Sequence, residues 1–329
     1  MWCGGVATEV LGCAGSAPPT PNLCDTLRSR SIGPRVARTS VRRCREDESV
    51  QVQLLGVRGS RPAPGSDFVR YGGNTSCIAV AHADAPPTLL LDAGTGISTL
   101  TPHLGGRAFD GSILLTHLHW DHVYGLPFFP PGDRPDARCD LWMPSQGDAE
   151  QVLEAFMQPP HFPIRPRDLR GRWSFHGLEQ GETAIEGFSV DAVEIPHKGG
   201  RTFGYRVGVD GRSIAYMPDH GPVELGDGPD GQGVIHDAAL RLAAGVDVLF
   251  HDAQHTVEEF PRVRGFGHST IDYAIALGQA AQVGLLVLFH HDPGRTDDML
   301  DAIAERTAHL DLRVEVAREG ATYGLADHP

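Results

Sequence analysis

The sequence is poor in lysine, paired cysteines and long apolar runs. No uninterrupted apolar stretch approaches the ~18 residues that a membrane-spanning helix needs, so we predict no integral membrane protein. No C-x-x-C pair occurs among the six cysteines, and four of them lie within the first 44 residues, which argues against a zinc ribbon or a disulfide scaffold. We therefore expect a reducing, cytoplasmic environment. Lys198 is the only lysine.

The charge balance argues against a broad nucleic-acid surface. The chain has 42 acidic and 28 basic residues and a formal net charge of -14. Phosphate backbones are bound by clustered positive charge, so we expect no long nucleic acid as a partner. Hydrophobic residues make up 40% of the 329 residues, which is enough for a sizeable core. The chain also has 17 histidines, a residue type that binds metals and transfers protons near neutral pH.

The first 48 residues differ in texture from the rest. They show neither helical nor strand periodicity and are rich in glycine, alanine, serine, proline and arginine. We expect residues 1–48 to be a disordered tail or a misannotated start. Residues 49–329 contain no recognisable linker, and we expect them to form one large domain.

The body mixes strand-rich runs with strand–helix alternation, which favours sheets with helices packed outside. Strands are predicted near 52–57, 77–80, 89–91, 112–116, 183–194, 202–209, 213–217, 246–250, 285–289 and 312–316. One helix is predicted to follow residues 92–96 and to end near 104. Four more are predicted over about 148–157, 234–244, 270–282 and 297–308. Residues 158–172 are rich in proline and arginine and predict a loop.

The segment His117-Leu118-His119-Trp120-Asp121-His122 follows a short apolar strand. His117 and His119 alternate by two, so in extended chain their side chains point the same way. Asp121 and His122 come where a helix is predicted to begin, and that change of direction can aim them at a second point. Four ligand-type residues within six positions can therefore serve two metal ions, which are ~3.5–4 Å apart in two-metal hydrolases.

This segment resembles the signature of the metallo-β-lactamase superfamily of binuclear hydrolases. Further segments are similar to its ribonuclease Z / PhnP-like phosphodiesterase branch, namely Gly56–Ser60, Arg70–Cys77, Leu91–Gly96, Ile195–His197, Tyr216–Asp219, Leu249–Ala253, Gly267-His268-Ser269-Thr270 and Leu288–Pro293. The resemblance covers about residues 50–329. It implies an α+β fold, a four-layered αββα sandwich with the site at the sheet rim.

The resemblance also implies the metal ligands. One metal would be held by His117, His119 and His197, and the other by Asp121, His122 and His290, with Asp219 bridging them. Two divalent ions are expected, zinc first because imidazole-rich sites suit it, with manganese or iron as alternatives. Either His290 or the adjacent His291 could be the ligand, and strand pattern and family alignment favour His290.

Catalysis is assigned by the same resemblance to a metal-bridging hydroxide, with Asp121 as a catalytic ligand and His268 as the general acid that protonates the leaving oxygen. His251 and Asp252 are expected to contact and orient the ligands. Asp92 is expected either to do the same or to be structural, and His291 either to contact the ligands or to be a hydrogen-bonded loop residue. Lys198 follows a predicted ligand, and two interpretations stay open: contact with a substrate phosphate, or chance in an arginine-rich composition. His220 stands where the branch often has threonine.

Ribonuclease Z enzymes that cut precursor tRNA carry a long basic arm, and this chain has none. The predicted activity is therefore hydrolysis of a small or cyclic phosphodiester. Two alternatives remain: a thioesterase or lactonase on the same scaffold, and a metal-binding protein without turnover. A homodimer is left open.

Overall fold

Within residues 48–83 and 85–326, fourteen strands form two sheets of seven strands each. The computed structural model describes residues 48–83 and 85–326, so the predicted tail of residues 1–48 lies outside the described residues except for Glu48. In chain order the strands are β1 Glu48–Gly56, β2 Cys77–His82, β3 Leu89–Leu91, β4 Asp110–Leu114, β5 Arg138–Pro144, β6 Arg172–Leu178, β7 Gly181–Ile185, β8 Phe188–Glu194, β9 Phe203–Val209, β10 Arg212–Met217, β11 Val248–Asp252, β12 Leu285–Phe289, β13 Val314–Val316 and β14 Thr322–Ala326.

Both sheets have an antiparallel half and a parallel half. The first has the order β14-β1-β2-β3-β4-β5-β6, and the second β13-β12-β11-β10-β9-β8-β7. Pairing is antiparallel from β14 to β3 and parallel from β3 to β6. In the second sheet it is antiparallel from β7 to β10 and parallel from β10 to β13. Parallel strands bring their carboxyl ends to one edge, and the polar segments described below follow those ends.

Helices cover the outer faces of the sheets. They are α1 Trp120–Val123, α2 Ala149–Glu154, α3 Asp237–Ala243, α4 Phe260–Val263, α5 Ile271–Ala280 and α6 Asp297–Thr307, with 3₁₀ helices at Thr95–Leu104, Ser66–Phe68, Leu126–Phe128, Pro166–Asp168, Pro222–Leu225 and Arg264–Phe266. None of the helices within 48–83 and 85–326 has the length and apolar character needed to cross a bilayer.

Three apolar layers hold these elements together. The central layer lies between the sheets, where Val52 and Leu91 of the first sheet pack with Phe188 and Phe250 of the second. One outer layer joins the second sheet to α3, α5 and α6, and the other joins the first sheet to α1, α2 and the 3₁₀ helix Thr95–Leu104. Burial of both faces explains the apolar runs of residues 113–115 at the end of β4, 248–250 in β11 and 285–289 in β12. The four-layered αββα sandwich expected from the resemblance is confirmed.

The structure adds strands that we did not predict. β5 alternates buried and partly exposed residues, with Arg138 and Asp140 interrupting its apolar pattern. β6 and β14 lie at sheet edges, where one side of a strand has no partner and the apolar pattern is weak. The predicted strand at 183–194 is a hairpin, because Glu186 and Gly187 both have positive φ, as a tight two-residue turn requires.

Candidate metal centre and pocket

The first sheet supplies four potential ligands from one continuous segment. β4 ends at Leu114, the chain bends at Thr116, and His119 has extended backbone angles, with a φ of -66° and a ψ of 152°. α1 then begins at Trp120 and carries Asp121 and His122. The extended part directs His117 and His119 to one side of the rim, and the helical turn directs Asp121 and His122 to another.

The second sheet supplies three more from separate strand ends. His197 follows β8, Asp219 follows β10 and His290 follows β12. His290 has a φ of 58°, an uncommon conformation outside glycine, which turns the chain directly after the buried strand. Gly59 packs against this ring, because a Cβ there would lie 2.4 Å from the Nδ1 of His290. A side chain at position 59 would therefore displace His290.

These side chains form two groups that share one carboxylate. The ligand atoms within each group lie within 4.8 Å of one another: His117, His119, His197 and Asp219 in the first, and Asp121, His122, Asp219 and His290 in the second. Asp219 Oδ2 is 3.4 Å from the Nε2 atoms of both His117 and His197. Asp219 Oδ1 is 3.1 Å from His122 Nε2 and 2.9 Å from His290 Nε2. Each carboxylate oxygen thus faces a different group.

Several atoms at the centre of this arrangement are buried and lack a hydrogen-bond partner. They include His117 Nε2, His122 Nε2 and Asp219 Oδ1. Buried polar atoms are almost always paired in native proteins, because leaving one unpaired costs free energy. Imidazole nitrogens and carboxylate oxygens that converge without partners are what a divalent cation needs as ligands. The residues present therefore fit metal ions at both groups.

Hydrogen bonds behind the rings fix which nitrogen faces the centre. His122 Nδ1 donates to Asp92 Oδ2 at 2.7 Å, which leaves Nε2 for a metal. His197 Nδ1 donates to the carbonyl of Gly267 at 2.6 Å, with the same consequence. Asp92 is fully buried and also accepts from the Thr116 hydroxyl at 2.9 Å and the Tyr216 hydroxyl at 2.9 Å. Such carboxylate–histidine contacts orient metal ligands.

Burial lowers the pKa of His117, His119 and His197, which favours the neutral imidazole that binds metals. Burial acts in the same direction on His290, yet the facing carboxylates of Asp219 and Asp121 outweigh it and raise its pKa to about 10. A cation in this group would take the place of the proton that these carboxylates attract.

His268 lies beside the second group and is held by a carboxylate. Its Nδ1 is 3.0 Å from Asp252 Oδ2, and its ring stacks on that of His290 with centroids 5.0 Å apart. Asp252 also accepts from the backbone N–H groups of His220 and Ser269. The Thr270 side chain caps α5 by accepting from Tyr273 N, which fixes the loop that carries His268.

A pocket of about 360 Å³ opens over the two groups. It is lined by Ser60, Leu118, His119, Trp120, Asp121, Asp219 and His268. Ligand-type side chains and His268 therefore share one cavity that is open to solvent.

Comparison with known proteins agrees with this architecture. Residues 88–291 match the family described as the Beta-lactamase superfamily domain. The chain belongs to the metallo-β-lactamase superfamily. It is 24% identical over 318 residues to ribonuclease Z of Halobacterium salinarum, which covers 84% of this chain and 98% of that protein. It is 29% identical over 266 residues to ribonuclease Z of Shouchella clausii, which covers 66% of this chain and 81% of that protein.

Solved structures share the fold. A diphosphatase from the PhnP family aligns with a TM-score of 0.61 and 19% identity, over 85% of this chain and 100% of that one. Zn²⁺-bound PqqB from Methylobacterium extorquens aligns with a TM-score of 0.59 and 19% identity, over 84% of this chain and 100% of that one. The resemblance to this superfamily and to its ribonuclease Z / PhnP-like branch is confirmed.

Three of the predicted residues of this superfamily member belong to no group of potential metal ligands in the described part of the chain and form hydrogen bonds elsewhere. His291 is buried and donates from Nε2 to the carbonyl of Ala317 at 2.9 Å, and burial lowers its pKa to about 3. The structure therefore places His290, and not His291, in the cluster. Lys198 donates from Nζ to the carbonyl of Gly265 at 3.0 Å. His251 Nδ1 donates to the carbonyl of Asp252 at 2.7 Å.

Sequence reasoning missed several residues that support the site. Thr116 and Tyr216 complete the hydrogen bonds around Asp92. His220, noted only as a departure from the family pattern, is the middle member of a chain of three imidazoles. Its Nδ1 lies 2.9 Å from His251 Nε2, and its Nε2 lies 2.8 Å from His236 Nε2. The position of Trp120 between two ligand residues was a usable signal for a pocket role.

Proposed function

We propose that residues 49–329 act as one domain and form a binuclear metal-dependent phosphodiesterase. The observation that carries this proposal is the pocket in which two ligand groups share Asp219 and in which His268 is held by Asp252. Cations bound at the two groups would activate an attacking water, and His268 would protonate the departing oxygen. The relatives named ribonuclease Z support phosphodiester cleavage as the reaction.

In this proposal His117, His119 and His197 hold one cation, Asp121, His122 and His290 hold the other, and Asp219 holds both. Zinc is the first choice because imidazole and carboxylate donors in small coordination numbers suit it, while manganese and iron use the same donors. When bound, the two cations would activate a water and neutralise charge on the phosphoryl oxygens.

The chain's own residues supply the remaining steps. Asp92 and Thr116 hold the ligand rings, so that they need no rearrangement when substrate binds. His268 is anchored through Nδ1, which leaves Nε2 as the nitrogen from which a proton passes to the leaving oxygen. An alkoxide leaves poorly without such a proton. Phosphodiesters of alkyl alcohols therefore depend on it more than esters with an activated aryl leaving group.

Charge favours a small diester over a long polyanion. The four arginines of the loop near 158–172 are exposed, but Arg170 is paired with Asp133 at 2.7 Å, and Arg167 lies 3.6 Å from Glu154. Acidic partners reduce the attraction of this patch for a phosphate backbone. Because the curated relatives are named ribonuclease Z, an RNA substrate belongs in the experiment as the competing outcome.

The test combines metal analysis with a substrate panel. The purified full chain is reconstituted with zinc, manganese or iron, its metal content is measured by mass spectrometry, and hydrolysis is followed for bis(p-nitrophenyl) phosphate, cyclic nucleotides, a 3′-extended tRNA, a lactone and a thioester. We expect about two metal ions per chain and turnover of the small diesters. Turnover of the thioester or lactone alone would replace the proposal by an acyl hydrolase, and two bound metals with no turnover would leave a binding protein.

A further inference from the structure

A row of exposed aromatic rings begins at the metal pocket. Trp120 lines the pocket, and its side chain is 73% exposed. Tyr124 is 58% exposed and Phe128 is 53% exposed. Single exposed apolar residues are common on protein surfaces, but a contiguous apolar patch beside a cavity marks a binding surface.

The rings of Tyr124 and Phe128 are in contact, and Trp120 lies one helical turn before Tyr124. Trp120 and Tyr124 are four residues apart, and the N–H of Tyr124 donates to the carbonyl of Trp120 at 2.8 Å, so one helical turn brings their side chains to one face. The rings of Tyr124 and Phe128 have centroids 6.2 Å apart, and Phe128 meets Phe162 edge-on at 5.8 Å. We refer to Trp120, Tyr124, Phe128 and Phe162 as the aromatic row.

Burial separates these rings from the core aromatics of the same chain. Phe109 and Phe129 are buried and contact each other at 5.3 Å within the outer layer of the first sheet. Phe128, their neighbour in sequence, points to solvent instead. The packing of the fold is therefore complete without the aromatic row.

The chemistry of the row selects a planar, aromatic ligand. Exposed aromatic rings bind nucleobases by stacking, and each stacked base contributes a large share of affinity without regard to base identity. An acyl chain would instead fit an enclosed aliphatic pocket. Because Trp120 adjoins the ligand residues Asp121 and His119, a base stacked on it would belong to the same molecule as a phosphodiester over the metals.

We propose that the aromatic row is a nucleobase subsite and that Trp120 stacks on the base of a nucleoside phosphodiester substrate. This inference rests on the proposed phosphodiesterase function and narrows its substrate class. Stacking on Trp120 raises the efficiency of base-bearing substrates over base-free ones by about tenfold, and the outer rings extend the surface to a second base.

Binding is tested without turnover by fluorescence. The zinc-loaded full chain is titrated with adenosine monophosphate and, in parallel, with ribose 5-phosphate, which has the same phosphate and sugar but no base. We expect adenosine monophosphate to quench the emission of the exposed Trp120, and ribose 5-phosphate to leave it unchanged. In Trp120→Phe the quenching disappears, and competition with a fluorescent nucleotide shows that binding persists.

Turnover is tested with a matched pair of diesters, the methyl esters of adenosine monophosphate and of ribose 5-phosphate, followed by phosphorus NMR. They differ only in the base. We expect the wild-type chain to prefer the adenosine ester by about tenfold in kcat/KM. Trp120→Phe keeps most of that preference because it keeps a ring, and Trp120→Leu loses it. Val69→Ala, an exposed apolar residue that does not line the pocket, serves as the matched control and keeps it.

The outcomes separate this inference from the proposed function. Equal turnover of both esters, or an unchanged preference in Trp120→Leu, overturns the nucleobase subsite and leaves the phosphodiesterase standing. Quenching by adenosine monophosphate alone, with neither ester hydrolysed, supports the subsite and counts against the phosphodiesterase. Absence of both turnover and selective quenching overturns both.

Discussion

The inner wall of the pocket and its outer rim are built in opposite ways. On the inner wall, Asp92 is fully buried and accepts hydrogen bonds from Thr116, His122 and Tyr216. On the rim, Trp120 and Phe128 are mostly exposed and contribute little to the core. The inner wall holds ligand atoms in one geometry, whereas the rim offers surface to whatever approaches.

The inner wall and the rim differ in how much folding stability a substitution removes. Removal of a buried carboxylate that accepts hydrogen bonds from three residues leaves several polar groups unpaired, so the inner wall tolerates little substitution. An exposed ring leaves no cavity and no unpaired group, so the rim can vary at almost no cost to folding. Under the proposed function, the inner wall therefore determines the reaction, and the rim determines which substrate binds.

The largest effect is expected at the shared carboxylate. Asp219→Asn keeps the size of the side chain but removes the charge that faces both ligand groups. In the proposed centre, cations at the two groups would then lose their common anionic ligand, and we expect phosphodiester turnover to fall by about 10³-fold or more. Metal content measured after dialysis should fall together with activity.

The control for Asp219→Asn is the circular dichroism spectrum, which should match that of the wild-type chain. Two tightly bound metals and normal turnover in this variant would show that the inner wall does not depend on Asp219. The binuclear centre would then have to be reassigned.

A second large effect is expected at His268, where the inner wall meets the substrate. His268→Ala removes the proposed proton donor without touching a proposed ligand, so kcat for an alkyl phosphodiester should fall by about 10²–10⁴-fold. Metal content should be unchanged. Because p-nitrophenolate leaves without a proton, the loss for bis(p-nitrophenyl) phosphate should be much smaller than for a methyl ester.

That leaving-group dependence distinguishes a general acid from a ring that merely packs on His290. Equal losses for both esters, or loss of metal in His268→Ala, would contradict the proposed role. Asp252→Asn should show the same pattern in weaker form, since it removes the negative charge and weakens the hydrogen bond that orients His268.

The contiguous part of the site was predictable because one segment concentrates it. The six residues from His117 to His122 follow a buried strand. Their periodicity alone predicts that His117 and His119 point one way and that Asp121 and His122 point another. His290 and His291 both follow β12. The strand pattern and the family resemblance favoured His290, and the structure agrees, because the ring of His290 lies among the ligand atoms while His291 donates to the Ala317 carbonyl.

The rest depends on contacts between distant segments. Asp92 meets Tyr216 across the two sheets, 124 residues apart in the sequence, and no local pattern encodes that pairing. The same holds for His236, which reaches His220 from the start of α3. Of the fold, the buried strands with continuous apolar runs were predictable, whereas edge strands β6 and β14 were not, because their stability comes from a neighbouring strand.

A moderate effect is expected at Asp92, an inner-wall residue that is fully buried and does not line the pocket. Asp92→Asn weakens the hydrogen bond that holds His122 Nδ1, and such supporting residues change metal affinity or activity by about 10–100-fold. A zinc competition titration measures the affinity. Asp191→Asn is the matched control, because Asp191 is also buried and bonded, but to Arg241.

Both variants should lose some stability, and only Asp92→Asn should lose metal affinity. An equal loss of affinity in Asp191→Asn would mean that general destabilisation, and not the orientation of His122, explains the result. The inner wall would then extend further than the contacts around Asp92.

The smallest effect is expected on the rim, at Phe128. Its ring is 53% exposed and contacts Tyr124 and Phe162 but no ligand residue. Phe128→Ala should change the free energy of unfolding by about 0.5 kcal/mol or less, as measured by urea denaturation, and zinc content should stay the same. A dinucleotide substrate should bind more weakly, while a mononucleotide should not. A loss of several kcal/mol would place Phe128 in the core and remove the distinction between rim and inner wall.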